Sequence, residues 1–311
     1  MTRANLPAHS QARSASVHSP PAVPELSWGR HFLMCPPTYF AVTYVINPWM
    51  DCATPVDQDR AHDQWFELSR TLTIAGARVE QTAPVDGLPD MVFTANAGLV
   101  DRTRFIPAQM RHQERRGETA YFRQWFARRG YAIVDQWQDM IQEGAGDALP
   151  FNETLIGGYG QRSIRLAYSG LSKNAGISVR SLRLIDPRYY HIDIAFCPLD
   201  ERSALIAPEA FDRRSRQAVA ALVPNPLLLS PAETQLFCAN SIVVGRTIIM
   251  PACTSRLDRL LAARGFTVTV VDVSEFIKAG GGCRCLTLPL DTVLDGTAGN
   301  AVGDVNSRVL R

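Results

Sequence analysis

The chain has 311 residues, of which 46% are hydrophobic and 20% are charged, and its formal net charge is +2. These values are typical of a soluble globular protein with one large domain or two ordinary ones. Scattered lysines and arginines argue against a nucleic-acid partner, and no apolar run approaches the roughly 20 residues that span a bilayer. The seven cysteines, an odd number, suggest reduced thiols in a cytoplasmic protein.

The two ends of the chain differ in composition from its middle. Residues 1–28 are rich in Ser, Pro and Ala and contain no acid before Glu25, so we predict a disordered extension. An organellar transit peptide is the alternative, since such segments are rich in Ser and Arg and poor in acids. Residues 293–311 are small and polar and are predicted to form a flexible tail. Residues 29–292 are then predicted to form a single domain.

Between residues 32 and 290 the chain repeats one arrangement of elements. Two short apolar strands are joined by a polar turn, and an amphipathic helix and a further strand follow. The clearest hairpins are predicted at 91–108, 194–208 and 241–252. Each ends at a proline, which cannot extend a hydrogen-bonded ladder.

Apolar residues at helical spacing predict the helices that follow these hairpins. The helices are predicted at 61–75, 119–129, 213–222 and 255–264. In the first of them, Trp65, Phe66, Leu68 and Leu72 form the predicted buried face. Strand-like segments are predicted at 78–80, 131–134 and 267–271.

A less regular copy at 154–184 and the opening unit bring the repeat to five units. Their spacing of roughly 40 to 50 residues is typical of repeats that close into rings or arrays. We therefore predict a ring of five α/β units whose strands converge on a central site. An ordinary open α/β sheet is the alternative that the spacing leaves open.

The residues that carry chemistry lie in three short motifs. The segment 278–288 reads KAGGGCRCLTL, in which three glycines allow another group to approach the backbone closely. The segment 143–147 reads EGAGD, and 191–193 reads HID. Together the motifs supply a thiol, an imidazole and several carboxylates, a set that suits covalent chemistry on a small cationic substrate.

Cys283 and Cys285 also have the spacing of half a zinc site. No matching Cys or His pair at metal spacing occurs elsewhere in the sequence, so we predict no metal and no cofactor. Cys283 is interpreted as a packing residue. The triple glycine is not a phosphate loop, because no Gly-Lys-Ser/Thr follows it.

Seven segments in order resemble the guanidino-group-modifying superfamily, which includes dimethylargininases, arginine dihydrolases and amidinotransferases. The segments are MCPP (34–37), INPWM (46–50), PDMVFTAN (89–96), EGAGD (143–147), GYGQR (158–162), YHID (190–193) and the segment 278–288. The likeness covers nearly all of the chain between 32 and 290. It implies the pentein fold, a five-unit pseudo-symmetric α/β propeller, and a small guanidino compound as substrate.

The resemblance also implies roles for individual residues. Cys285 matches the nucleophile, which would form a covalent thiouronium; a thiolate suits this task because resonance makes a guanidinium carbon a poor electrophile. His191 would act as acid and then base, and Glu143 would orient His191 or hold the cation. Asp193, predicted on the same strand as His191 and facing the same way, would bind the guanidinium nitrogens.

Four further positions complete the predicted site. Arg162 matches an arginine that binds the substrate's α-carboxylate, Asp147 would fix its loop or the substrate, and Asn47 lies in a loop expected to touch the site. Asn96 stands where many deiminase relatives carry an aspartate. An amide has one charge fewer than a carboxylate but also binds a neutral ureido group, as in arginine dihydrolases.

The sequence thus predicts a hydrolase of the guanidinium C–N bond, with conversion of arginine to ornithine, ammonia and carbon dioxide favoured. Dimethylargininase, an amidinotransferase and a non-catalytic binding protein are the alternatives. The thiol, imidazole and carboxylates argue against the last of these. Whether the chain forms a homo-oligomer is left open.

Overall fold

Five small sheets make up the computed structural model, which describes residues 25–136 and 139–294. The predictions for 1–28 and 293–311 fall mostly outside these residues and stay predictions. Residues 25–28 are described, and Leu26 is buried in an apolar core cluster that also contains Leu199 and Leu205. In the described part of the chain, no helix is long and apolar enough to cross a membrane.

The helices and strands follow the order that the repeat predicted. The helices are α1 (Gln58–Ile74), α2 (Gln113–Arg116), α3 (Glu118–Arg128), α4 (Arg165–Ala175), α5 (Arg213–Leu222), α6 (Pro231–Gln235), α7 (Ser255–Ala262) and α8 (Ser274–Ile277). The strands are β1 (His31–Met34), β2 (Arg78–Gln81), β3 (Gly98–Asp101), β4 (Arg104–Pro107), β5 (Ala132–Ile133), β6 (Ala148–Phe151), β7 (Thr154–Tyr159), β8 (Val179–Arg183), β9 (Phe196–Pro198), β10 (Ser203–Ile206), β11 (Asn225–Leu228), β12 (Ile242–Val244), β13 (Thr247–Met250), β14 (Thr267–Val270) and β15 (Leu288–Pro289).

All five sheets have the same design. A middle strand pairs antiparallel with one neighbour and parallel with the other, as β4 does with β3 and β5. In four sheets the three strands follow one another along the chain. In the fifth, β15 takes the first position beside β1 and β2, with Leu33 opposite Leu288. The last described strand therefore pairs with the first, which confirms the five-unit propeller and excludes an open sheet.

The first and third strands of each sheet differ in how deeply they are buried. The strands β3, β6, β9, β12 and β15 are buried along their whole length, whereas the third strand of each sheet is partly exposed. Strands buried on both faces need continuous apolar runs, and Ile242–Val244 is one such run. The fully buried strands are therefore the inner strands of the ring.

The start of helix α1 and its buried face follow from the residues of the helix and its N-cap. Asp57 caps it by accepting a hydrogen bond from the Arg60 backbone N–H (3.0 Å). Trp65, Leu68 and Leu72 are buried as predicted, but the prediction for Phe66 was wrong because its side chain is 65% exposed. A helix turns about 100° per residue, so the side chain after Trp65 points away from the core.

A short irregular segment precedes every inner strand and lies at the same end of its unit. Three of these segments are 3-10 turns, at Thr94–Ala97, Gly144–Gly146 and Ile192–Ile194. The other two end directly before β12 and β15. The five segments hold most of the predicted site residues.

The first prediction concerns core packing. Phe105 is fully buried and stacks on Phe126 with ring centroids 3.7 Å apart. We expect Phe105→Ala to lower the free energy of unfolding by about 3–5 kcal/mol, because it removes buried apolar contact and leaves a cavity. Urea unfolding measures the change, and Phe66→Ala is the matched control at an exposed position. Equal effects of the two substitutions would contradict the assigned core.

Candidate active site

Cys285 lies in the segment before β15 and is buried. Its Sγ donates to the Asp193 carboxylate (Oδ2, 3.3 Å) and accepts a hydrogen bond from the Asn240 side-chain amide (Nδ2, 3.1 Å). Burial raises the pKa of the Cys285 thiol well above its usual range, and the negative charge of Asp193 raises it further. The sulfur is therefore a neutral thiol in the resting site.

The three glycines before Cys285 are needed because other groups occupy the space of a side chain. A Cβ on Gly280 would lie 2.9 Å from Asn47 Oδ1, and one on Gly281 would lie 2.2 Å from the Phe93 ring. A Cβ on Gly282 would lie 2.8 Å from Asn240 Oδ1. The close approach expected from the sequence is thus made by the protein's own side chains.

His191 and Glu143 form a buried pair. His191 Nε2 lies 2.7 Å from Glu143 Oε2, and both side chains are about 1% exposed. Burial alone would raise the pKa of Glu143, but the charge of Arg162 and the His191 hydrogen bond hold it below its usual range. Burial lowers the pKa of His191 to about 4. The resting pair is therefore a carboxylate and a neutral imidazole.

The charge on Glu143 decides which nitrogen of His191 carries the proton. A carboxylate only accepts hydrogen bonds, so the Nε2 atom that contacts it must be the N–H donor. The Nδ1 atom then holds the lone pair that can take up a proton. Nδ1 lies 3.4 Å from the position of a Cβ on Gly146, where the glycine leaves space beside it.

Glu143 also binds two arginines. Its Oε2 accepts from Arg162 Nη1 (2.9 Å), and its Oε1 accepts from the Arg111 backbone N–H (2.9 Å). Arg111 Nε in turn donates to the Arg162 carbonyl (2.8 Å). A second guanidinium, which sequence reasoning did not select, is therefore bound directly to the Arg162 backbone.

Asp193 lies beside the sulfur but not on the strand that was predicted for it. His191 precedes the 3-10 turn Ile192–Ile194, and the strand β9 starts only at Phe196. Asp193 Oδ1 is buried and has no hydrogen-bond partner among the described residues. Burial raises the pKa of Asp193 to about 7, opposed by the charge of Arg284. A cation entering the site would give this oxygen a partner.

Asn96 is held in one orientation by its neighbours. Its Oδ1 accepts from Arg115 Nη1 (2.9 Å), and its Nδ2 donates to the Glu143 carbonyl (2.9 Å). Arg115 is itself fixed by two hydrogen bonds to Glu118 (2.8 and 2.9 Å). The Nδ2 atom lies on the His191 side of the site, because Asn96 Nδ2 (2.4 Å) and His191 Nδ1 (3.4 Å) are both close to the position of a Cβ on Gly146.

Two other predicted substrate-binding residues use their polar atoms within the protein. Asp147 accepts from Ser163 at Oδ2 (N–H 3.1 Å, Oγ 2.6 Å) and from the Ile192 backbone N–H at Oδ1 (3.2 Å). Asn47 donates to the Ala279 carbonyl (3.0 Å) and accepts from the Trp49 N–H (2.9 Å). Asp147 therefore fixes its loop, and Asn47 ties its own loop to the glycine segment.

Sequence reasoning missed two buried residues that contact the site, Asn240 and Arg115. The repeat contained a signal for Asn240, because Ala95-Asn96 and Ala239-Asn240 occupy the same place before the inner strands of their units. Arg115 had no comparable signal, since it lies on the short helix α2 among other arginines. Cys283, interpreted as a packing residue, is fully buried in an apolar cluster.

Within residues 25–136 and 139–294, no group of three or more His, Cys, Asp or Glu side chains could hold a metal ion. The arrangement places a thiol beside a carboxylate with an unpaired oxygen, and an imidazole with a free lone pair lies two residues before that carboxylate in the same segment. The fold and the site together define a pentein hydrolase that acts on guanidinium C–N bonds through a cysteine.

Comparison with known proteins identifies the family. The model of the family described as "N,N dimethylarginine dimethylhydrolase, eukaryotic" matches residues 45–292, and the chain belongs to this family. It is 36% identical over 261 residues to N(G),N(G)-dimethylarginine dimethylaminohydrolase of Mycobacterium tuberculosis, covering 84% of this chain and 86% of that protein.

The chain is also similar to cyanobacterial arginine dihydrolases. It is 40% identical over 285 residues to the bifunctional arginine dihydrolase/ornithine cyclodeaminase ArgZ of Synechocystis, covering 90% of this chain and 40% of that protein. The solved N-terminal domain of ArgZ with bound product superposes with a TM-score of 0.82 at 39% identity. That match covers 85% of this chain and 98% of the solved domain. The predicted branch of the superfamily is thus confirmed.

The lowered pKa of His191 predicts how stability depends on pH. The imidazole takes up a proton near pH 6.5 in the unfolded chain but only near pH 4 in the folded one. Stability from this group is therefore lost as the pH falls between these values, by about 3 kcal/mol in all. Over this pH range the free energy of unfolding of His191→Asn should therefore fall by about 3 kcal/mol less than that of the wild type, as measured by urea unfolding.

The exposed His62 on α1 supplies the control. His62→Asn removes an exposed imidazole and serves as the comparison for His191→Asn in the same unfolding measurements. If the free energies of unfolding of His191→Asn and the wild type fall in parallel between neutral and acidic pH, the assignment of His191 as a buried neutral imidazole is wrong.

Proposed function

We propose that the protein hydrolyses arginine twice, to ornithine, two molecules of ammonia and carbon dioxide. In this reading Cys285 is the nucleophile, His191 is the acid and base, and Glu143 orients His191. Asp193 binds the guanidinium nitrogens through its free Oδ1. Arg162 binds the substrate's α-carboxylate, since each Nη atom retains a second hydrogen beyond those given to Glu143 and the Ile46 carbonyl.

The cationic substrate itself activates the nucleophile. Its positive charge offsets the burial and the Asp193 charge that keep Cys285 protonated, so the pKa of the thiol falls when the guanidinium binds. His191 Nδ1 takes up the thiol proton, and the sulfur bonds to the guanidinium carbon and gives a tetrahedral adduct. His191 protonates the departing nitrogen, ammonia leaves, and a thiouronium on Cys285 remains.

Water completes the first hydrolysis. His191 Nδ1, now deprotonated, takes a proton from water as its oxygen bonds to the thiouronium carbon. The C–S bond breaks, which returns the Cys285 sulfur and leaves a ureido group, as in citrulline. In the second round His191 again takes the thiol proton as the sulfur attacks the ureido carbon, and passes it to the nitrogen that leaves as the second ammonia. Water then releases ornithine carbamate, which loses carbon dioxide; the sum consumes two waters.

The fixed amide of Asn96 is the observation that carries this proposal. The Arg115–Glu118 pair holds its oxygen, so an N–H donor, not a carboxylate, is presented on the His191 side. A carboxylate there would favour a cation and repel a ureido oxygen, whereas an N–H donor can bind that oxygen. A neutral intermediate can therefore stay bound for the second round.

The similarity to ArgZ supports the same outcome, because 90% of this chain matches a protein named arginine dihydrolase/ornithine cyclodeaminase. The chain spans 40% of that protein's length, so its cyclodeaminase activity is not carried over. Dimethylargininase activity is the second candidate, favoured by the family model and by the Mycobacterium tuberculosis relative. A cytoplasmic location, a homo-oligomeric state and independence of cofactors stay predictions.

A substrate panel separates the two candidates. We expect purified protein to convert both arginine and citrulline to ornithine and ammonia, measured by amino-acid chromatography and an ammonia assay. Cys285→Ser should lose turnover by at least about 1,000-fold while still binding arginine, because only the nucleophile is removed. Cys52→Ser, at an exposed cysteine, is the matched control. Inert citrulline together with release of dimethylamine from asymmetric dimethylarginine would favour dimethylargininase instead.

Asn96→Asp tests the role of the amide. The carboxylate keeps an acceptor for Arg115 but loses the N–H donor and faces the Glu143 carbonyl. We expect consumption of arginine to continue at a reduced rate while the product changes from ornithine to citrulline. Asn152→Asp, at an exposed turn, serves as the control. Unchanged ornithine yield from Asn96→Asp would contradict the proposed role.

A further inference from the structure

Asn240 is a fully buried amide in the fifth unit, in the segment directly before β12. It lies two residues before its inner strand, as Asn96 does in the second unit, and Cys285 lies three residues before β15. Every polar atom of its side chain bonds to the segment that carries Cys285 or to Asp193.

The oxygen of the Asn240 side chain gathers three backbone N–H groups of the nucleophile segment. Oδ1 accepts from Gly282 (3.1 Å), Arg284 (3.1 Å) and Cys285 (3.2 Å). The backbone carbonyl of Asn240 additionally accepts from the Arg284 N–H (3.2 Å). One buried side chain therefore holds the conformation of the turn that presents the sulfur.

The nitrogen of the same amide faces the sulfur. Nδ2 donates to Cys285 Sγ (3.1 Å) and to the Asp193 backbone carbonyl (3.3 Å), so both of its hydrogens are used. Rotating the amide by 180° would point these hydrogens at three N–H donors. The orientation with nitrogen towards sulfur is therefore imposed by the backbone, and does not depend on the substrate.

We propose that Asn240 is a positioning residue that holds the Cys285 sulfur and stabilises its thiolate through the Nδ2–H···Sγ hydrogen bond. The resting thiol donates a hydrogen bond to Asp193 Oδ2 and accepts one from Asn240 Nδ2. Once the proton has left, the Asn240 donor remains directed at the anionic sulfur, and a hydrogen bond to a charged group is stronger than one to a neutral group. The inference rests on the proposed nucleophile but not on the choice of substrate.

Other ionisable groups also act on the sulfur. Asp193 disfavours the thiolate, the buried guanidinium of Arg284 favours it, and the Tyr190 hydroxyl interacts with it. All three side chains are retained when only Asn240 is substituted, and the Asn240 amide also contacts Asp193. A shift of the thiol's titration in an Asn240 variant therefore reports on the amide through its contacts with the sulfur and with Asp193.

The test measures the pH dependence of Cys285 alkylation by iodoacetamide in the substrate-free protein. Trypsin cleaves after Arg284, so the peptide that starts at Cys285 carries this cysteine alone and is quantified by mass spectrometry. Asn240→Asp keeps an oxygen for the three N–H groups but replaces the donor to sulfur with an acceptor. Asn240→Ala removes the donor without adding a charge. Asn225→Asp, at an exposed position of β11, controls for the added charge.

We expect the midpoint of alkylation to rise by about one to two pH units in Asn240→Asp, and to rise less in Asn240→Ala. Alkylation at neutral pH should fall by about 10- to 100-fold in the aspartate variant, while Asn225→Asp behaves like the wild type. Circular dichroism and thermal unfolding identify a variant that fails to fold, in which case the other Asn240 variant decides.

Two results would overturn the proposal. An unchanged midpoint in a folded Asn240 variant would show that the amide does not stabilise the thiolate. A uniform loss of alkylation at every pH, with no shift of the midpoint, would reduce Asn240 to a structural role. Because alkylation needs no turnover, these outcomes are distinct from a failure of the proposed hydrolysis.

Discussion

The pairing of β15 with β1 is the constraint on which the site depends. It joins the end of the described chain to its beginning, with Phe32 opposite Pro289 and Leu33 opposite Leu288. The segment before β15 carries Cys285, so closing the ring also brings the sulfur to the segments of the other units. The backbone N–H of Ala95 donates to the Cys285 carbonyl (3.1 Å), which links that segment to the second unit directly. The thiol and the groups that act on it are far apart in the sequence. Without closure of the ring, they would not be held together in space.

The second constraint is the energetic cost of burying charged side chains. The site offsets this cost because each buried charge has hydrogen-bond partners within the protein. Glu143 would be costly to bury alone, but Arg162, His191 and the Arg111 backbone satisfy its oxygens. This arrangement fixes the proton on His191 Nε2 and leaves Nδ1 free. Asp193 Oδ1, which has no hydrogen-bond partner among the described residues, lies on the residue that binds the sulfur. A guanidinium substrate would give this oxygen a partner, and the hydrogen-bond donors of the site are already oriented before the substrate binds.

Much of this fold was predictable because the repeat is written in the sequence. Alternating apolar strands, prolines and amphipathic helices gave five units, and α5 was predicted with its observed bounds. Phe66 was misplaced because an aromatic residue next to a buried one looks like part of the same face. The strand expected for Asp193 is a 3-10 turn, which periodicity over three residues cannot distinguish from an extended segment.

The site was predictable as a set of residues, but less so as a set of contacts. Motifs identified Cys285, His191 and Glu143, since their side chains carry recognisable chemistry. They could not reveal that Asp147 and Asn47 use their polar atoms within the protein, because Ser163, Ile192 and Ala279, which bind these atoms, are distant in sequence. Asn240 was overlooked because a buried asparagine carries no reactive group of its own; only its position in the repeat marks it.

The central claim is that the Cys285 sulfur bonds transiently to a carbon flanked by nitrogens. Acid quenching of the protein during turnover of arginine, followed by tryptic digestion and mass spectrometry, tests it most directly. The account predicts an amidino adduct on the peptide that begins at Cys285, absent from Cys285→Ser. An adduct on another cysteine, or steady turnover by Cys285→Ser, would contradict it.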